Sequence, residues 1–241
     1  MTNFTLNPDL DRNALAECYA QTGRVRLYGL LAQGATDLHD HLRRREDWIQ
    51  VIHAPGAPIE LDRHERAAMG AKGIAQIDRE MFARGRDGFQ YRYEALRLPD
   101  ADEPLDATDM LSPLAKFLHG PDMHALIRHI TGMPPGLFVN GQATSYGVGD
   151  FLTGHDDDAP GENRMAACVF GLTQMWRLEW GGLLLFHGPH ERTAEALVPR
   201  FNTLDLFRVP QQHSVSLVSP SAGFSRLAVT GWYRGSPAEN H

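Results

Sequence analysis

The sequence predicts an α+β fold: a jelly-roll barrel, or double-stranded β-helix, with supporting N-terminal helices. Helical periodicity dominates up to about residue 135. From Gly136 onward the pattern changes to short strand-like runs separated by loops holding Gly, Pro or Asp. Helices first and many strands afterwards fit helices packed on a β-sandwich or jelly roll. No low-complexity linker, internal repeat or long charge block divides the chain. One domain over residues 1–241 is therefore expected, with 1–135 as helical support and lid elements and 136–235 as the jelly-roll core.

The elements follow in order. Asp9 or Asp11 can cap a first helix with Leu15, Cys18 and Tyr19 on its apolar side, and Gly23 ends it. Residues 24–31 alternate as a strand, and a helix runs from about Ala35 to Arg45. Its two histidines, His39 and His41, lie two apart and so do not share a helix face, which excludes them as a metal pair. The run Arg43-Arg44-Arg45 is followed at once by Glu46 and Asp47, which reads as a solvated helix end. Residues 48–52 read as a strand, and residues 62–84 as a helix interrupted at Gly70 and Gly73. A strand from Phe89 puts Phe89, Tyr91 and Tyr93 on one side. An acidic loop (99–109) and two helices (about 111–119 and 121–131) complete this half. Strands are then expected at about 137–147, 151–156, 164–172, 181–187, 213–218 and 225–233. Gly147-Val148-Gly149 is not a dinucleotide loop, since a strand and not a helix follows it.

Composition limits the partners. Net charge is −7 with both signs mixed along the chain, which argues against nucleic acid or an anionic membrane surface. No apolar run approaches the ~20 residues of a membrane span. Residues 1–9 show no secretory signal, and Cys18 and Cys168 lie in no zinc or redox spacing. Reduced thiols and a cytoplasmic location are expected.

The chemistry concentrates at Phe151-Leu152-Thr153-Gly154-His155-Asp156-Asp157, a strand running into a loop. Side chains two apart on a strand share a face, so His155 and Asp157 make half of a metal chelate. A 2-His-1-carboxylate set suits non-haem Fe(II), because it fills one face of an octahedron and leaves the other open. The plain alternative is a polar strand end with a solvated acidic loop. A third ligand has to come from a distant strand, and His213 opens a strand-like run. In the last strand Arg226, Ala228, Thr230 and Trp232 fall on one face, and Leu227, Val229 and Tyr233 on the other. An arginine buried there costs several kcal/mol unless it is paired, so it faces either water or an anion. A guanidinium fork suits a carboxylate, and Thr230 can add a second bond.

Taken together, Tyr146, His155-x-Asp157, Gly181-Gly182, His213 and Arg226-x-x-x-Thr230-x-Trp232 resemble the Fe(II)/2-oxoglutarate-dependent dioxygenases. Within them the set resembles the prolyl-4-hydroxylase-like branch and is similar to the eukaryotic ribosomal prolyl hydroxylases. The resemblance spans roughly Gly136 to Gly235. It implies that His155, Asp157 and His213 hold the iron, and that Arg226, assisted by Thr230, binds the distal carboxylate of 2-oxoglutarate. It places Tyr146, nine residues before His155, beside that co-substrate. Trp232 would wall the pocket or simply join the core. Ascorbate is a candidate accessory reductant. Asp157 matters to the outcome, since related halogenases carry a small residue there, so hydroxylation is the expected reaction, although desaturation and demethylation share such a site. The chain departs from the pattern in two places. Where the family often has a tyrosine on the strand after the His-x-Asp loop, the matching position is Phe170. The spacing of thirteen residues from His213 to Arg226 exceeds that of collagen-type prolyl hydroxylases.

Two rival readings keep the fold. A non-catalytic cupin-like metal- or ligand-binding module needs the triad but no buried arginine. A structural jelly roll needs neither. The expected partners of the enzyme are dioxygen and a small-molecule or peptidyl substrate. Tyr91, Tyr93, Arg164, Trp176 and Trp180 are candidates to border the cleft, although aromatic residues in a barrel are more often core and Arg164 is readable as solvated. His187 and His190, flanking Gly188-Pro189, read as a hairpin tip.

Overall fold

The computed structural model describes residues 3–100, 103–104, 106, 108–134 and 138–235. The first half carries β1 (Thr5–Leu6), α1 (Arg12–Thr22), β2 (Arg24–Tyr28), β3 (Leu31–Gln33) and α2 (Ala35–Arg44). It continues with the hairpin β4 (Ile49–Ile52) and β5 (Ile59–Asp62), then α3 (Arg63–Ala68), α4 (Gly70–Asp87), β6 (Tyr91–Arg97), α5 (Leu111–Leu118) and α6 (Pro121–Thr131). The second half is built from β7 (Phe138–Tyr146), β8 (Phe151–His155), β9 (Arg164–Leu172), β10 (Leu184–His187), β11 (Ala194–Leu197), β12 (Phe201–Arg208), β13 (His213–Val215) and β14 (Arg226–Arg234).

Local chemistry sets the helix ends. Asp11 accepts from the Ala14 N–H at 3.0 Å, and Gly23, at φ 73°, lets its own N–H reach the Tyr19 carbonyl. Asp62 and Glu65 form a reciprocal capping box at the start of α3. The expected interrupted helix over 62–84 is therefore α3 followed by α4, broken at Met69–Gly70.

Twelve strands join in one antiparallel sheet. Its order is β11-β10-β13-β8-β6-β7-β14-β9-β12-β2, with β4 bonded to β6 and to β5. The sheet curls into a half-barrel of jelly-roll type, so that β8 and β13 face β7, β14 and β9 across one cavity. Its outer face sends Leu204, Leu227, Val229 and Tyr233 against Leu38, Leu114, Leu126 and Ile127 of the helices, and these make the main core. The inner face is narrower, with Ala167, Val169, Phe186, Phe207 and Ala228 as its apolar floor. The expected alternation of β14 is thus observed.

Several expectations change. β12 is not among the expected strands, and it lies second from one edge of the sheet, paired with β9 and with the edge strand β2. The strand expected at 181–187 begins at Leu184, and that at 213–218 ends at Val215. Cys18 is exposed and so is not on the apolar side of α1, whereas Cys168 is buried; both are free thiols. His39 is buried, its Nδ1 2.7 Å from the Leu172 carbonyl. Leu137, at the start of the strand expected over 137–147, and part of the loop over 99–109 lie outside the described residues. No helix among the described residues is long and apolar enough to cross a membrane.

Candidate metal centre

The centre is made by strand pairing. β8 and β13 run antiparallel with His155 directly opposite His213, which brings the ring centroids to 4.1 Å. Asp157 lies two residues past the end of β8 at φ 63°, a left-handed conformation that aspartate tolerates better than most side chains. The turn brings its carboxylate between the imidazoles. Oδ1 is 3.5 Å from His155 Nε2, and Oδ2 is 3.4 Å from His213 Nε2. The three ligand atoms lie within 4.8 Å of one another, and no other group among the described residues is so placed. Ligands at bonds of about 2.1 Å and right angles stand roughly 3 Å apart, so the trio can close on an ion with a small inward shift.

Each ring is oriented from behind. His155 Nδ1 is 3.0 Å from the Thr153 carbonyl, and His213 Nδ1 is 2.7 Å from that of Gln211. A carbonyl can only accept, so both rings donate from Nδ1 and, when neutral, turn an Nε2 lone pair to the centre. Burial and the neighbouring His155 push His213 down to about 4. Burial works against the Asp157 charge, but the hydrogen bond with His155 and the charge of the nearby imidazoles more than offset it, so its pKa lies below the ordinary value. At neutral pH His213 is an unprotonated imidazole and Asp157 a carboxylate, the forms a cation needs.

The centre opens into a cavity of about 510 Å³. Arg226 lies in it, 4% exposed, its Cζ 5.1 Å from the centroid of the Tyr146 ring. Its Nη1 is buried without a hydrogen-bond partner, and no ion pair reaches it among the described residues. Arg226 thus does not face bulk water, and its buried, unpartnered Nη1 suits an anion. Thr230 and Tyr146 line the same cavity. Gly181 and Gly182 pass close by at φ 70° and 60°. A Cβ on Gly181 would stand 2.0 Å from the Leu217 carbonyl oxygen, so only glycine fits there.

Other candidates divide. Trp232 walls the cavity, and the Arg164 guanidinium stacks on it at 3.8 Å with Nη1 4.0 Å from Asp157 Oδ1; Arg164 is therefore not a solvated strand end. Phe89, Tyr91 and Tyr93 form an aromatic wall on the opposite side, Phe89 lying 5.8 Å from His155. Trp176 and Trp180 do not line the cavity. The Trp176 indole donates to the Gly181 carbonyl at 2.8 Å, and Trp180 packs against Phe224. Phe170 is corrected as well: it points to the helices in the main core, and Ala167 and Val169 hold the inward positions of β9. His187 ends β10, half-buried, with Nε2 2.8 Å from Ser214 Oγ, and only His190 lies exposed in the turn. The sequence reading overlooks Gln142 and Thr144. Their alternation with Tyr146 along β7 is the signal that could have found them.

Comparison with known proteins agrees with this geometry. Residues 141–234 match the model of the 2OG-Fe(II) oxygenase superfamily. No curated protein matches the sequence. Among solved structures, the chain is similar to a Pseudomonas putida prolyl-4-hydroxylase (19% identity, 93% of this chain and 99% of that one, TM-score 0.57). It is also similar to a Burkholderia pseudomallei oxidoreductase of the 2OG-Fe(II) oxygenase family (18%, 98% and 97%, 0.57). A third is a Trichoplax adhaerens prolyl hydroxylase in complex with a hypoxia inducible factor peptide fragment (16%, 92% and 88%, 0.61). At such identities these likenesses establish the fold. The donor set suits Fe(II), and the unpartnered Nη1 of a buried arginine suits a carboxylate of 2-oxoglutarate, so the residues present fit both groups.

Proposed function

We infer that this 2-oxoglutarate- and Fe(II)-dependent dioxygenase hydroxylates an unactivated C–H bond of a prolyl or other amino-acid residue. One observation carries the reading. A His-Asp-His trio and an arginine without a counter-charge, drawn from β8 with the turn that follows it, from β13 and from β14, share one cavity. When bound, the iron and 2-oxoglutarate supply the oxidising chemistry: dioxygen and the 2-oxo acid are converted to succinate and carbon dioxide, and one oxygen atom enters the substrate C–H bond.

The protein's part is binding and orientation. His155, Asp157 and His213 hold the metal from one side and leave the cavity side open. Arg226 and Thr230 anchor the distal carboxylate, and Tyr146 lies alongside. Phe89, Tyr91 and Trp232 exclude water around the reacting carbon and give a flat apolar surface to a ring the size of proline. The Arg164 guanidinium, with Nε unpaired, offers donors to a carbonyl or carboxylate of the substrate. The peptide held by the Trichoplax relative supports a peptidyl substrate here. The rival cupin-like module leaves the cost of burying Arg226 without a purpose.

The test is Fe(II)-dependent formation of succinate from 2-oxoglutarate, with and without a panel of proline-containing peptides and free amino acids. His155→Ala is expected to abolish it. Absence of succinate from the wild type under every condition would overturn the proposal.

A further inference from the structure

A carboxylate seated on Arg226 has about four lone-pair sites, more than one guanidinium edge and one threonine can fill. The remaining donors have to come from the strands flanking β14. On β9 the inward positions are apolar or empty: Val169 stands opposite Thr230, Gly171 opposite Ala228 and Ala167 opposite Trp232. At Gly171 no side chain fits, since a Cβ would lie 2.3 Å from the Arg200 carbonyl oxygen. This flank offers no hydroxyl.

The β7 side differs. Its register places Tyr146 opposite Arg226, Thr144 opposite Ala228 and Gln142 opposite Thr230. The Thr144 hydroxyl is directed to the Ala228 carbonyl at 3.4 Å. β6 continues the same face with Tyr93. Its ring stacks on Tyr146 with centroids 5.1 Å apart and planes 28° from parallel, and its hydroxyl oxygen accepts from Gln142 Nε2 at 3.1 Å. Tyr93 therefore reaches from the partner of Arg226 to the partner of Thr230, the stretch a carboxylate between those two residues occupies. Gln142 uses a lone pair of the phenol and leaves its hydrogen without an acceptor among the described residues. Burial keeps that hydrogen in place, holding the Tyr93 pKa above the ordinary phenol value.

We propose that Tyr93, oriented by Gln142, donates its phenolic hydrogen to the distal carboxylate of 2-oxoglutarate, with Gln142 as the positioning residue. The assignment rests on the reading that this cavity takes 2-oxoglutarate. It supplies from β6 a hydroxyl that β9 does not offer.

The test measures binding of 2-oxoglutarate by calorimetry, without oxygen, to the whole protein loaded with Mn(II). Tyr93→Phe keeps the ring and its stack and removes only the O–H. The expected result is a Kd about tenfold higher or more, with Mn(II) affinity unchanged. Gln142→Leu is expected to shift Kd the same way by less. With 2-oxovalerate, which has a methyl in place of the distal carboxylate, Tyr93→Phe is expected to carry no penalty. An unchanged Kd for 2-oxoglutarate in Tyr93→Phe, with the wild type binding, overturns the assignment and leaves the co-substrate reading intact. An equal loss with both acids overturns the distal placement. No binding by the wild type overturns both.

Discussion

His213 shows how a single environment sets both charge and stability. Burial and the facing imidazole bring it to about 4 in the fold, against 6.5 for an ordinary histidine. Between those values the unfolded chain holds a proton that the fold does not, so stability rises with pH across this window. It is fully present above about 6.5 and is lost on acidification towards 4, on the order of 3 kcal/mol for the metal-free protein. Asp150 acts in the opposite sense. Burial lifts it to about 6 despite Arg92 at 2.7 Å, so its ionisation on the alkaline side costs stability. Comparison of wild type with His213→Asn by urea unfolding between pH 7 and 4.5 isolates the histidine. The variant is expected to lose less stability on acidification, and parallel curves would refute this account. Position 170 illustrates what sequence parity leaves open. β9 is buried on both faces, so its run of apolar residues does not say which set looks inward, and the fold puts Phe170 on the outer side.

At the scale of elements, β14 and β8 are legible because their polar residues share one face, Thr153 and His155 two apart and Arg226 and Thr230 four apart, and a jelly roll needs those positions to converge. β12 was not legible. Asn202 and Asp205 inside it resemble loop residues, and only the tertiary partner explains them. The Arg26 guanidinium of β2 meets both Asp205 oxygens, at 2.6 and 2.7 Å, and also donates to the Val198 carbonyl at 2.9 Å. Both side chains are nearly out of water, 10% and 5% exposed. Removing one member strands the other charge, so Asp205→Ala is expected to cost about 3–5 kcal/mol, read from its unfolding free energy. A loss below about 1 kcal/mol would show that solvent screens the pair. Arg164 is ambiguous in the sequence for a similar reason: it can border the cleft, but the first residue of a strand is commonly solvated, and the stacking partner that decides between the two, Trp232, lies 68 positions away.

Over the whole molecule, the curled sheet separates two tasks. Its outer face and the helices make the large core that keeps the chain folded, and its inner face carries the polar residues of the cavity. On the proposed reading, His155, Asp157 and His213 are the part of the inner face that a bound ion would complete, and an ion that binds only the fold stabilises it. At a hundredfold excess over Kd, Mn(II) is expected to add about 2.7 kcal/mol, or about 5–10 °C in Tm for a chain of this size. Thermal scans with and without EDTA check this. The shift should vanish in His155→Ala, and a wild type indifferent to both metal and chelator would refute the site.

The facing of His155 and His213 across β8 and β13 has a mechanical side too. β13 is only three residues long and lies between β8 and β10, so few rungs hold it. An ion held by both imidazoles would bolt these neighbours together where the ladder is short. On the proposed reading, the ion that serves the chemistry would also clasp this edge of the cavity, and its removal is expected to loosen β13 as well as to abolish turnover.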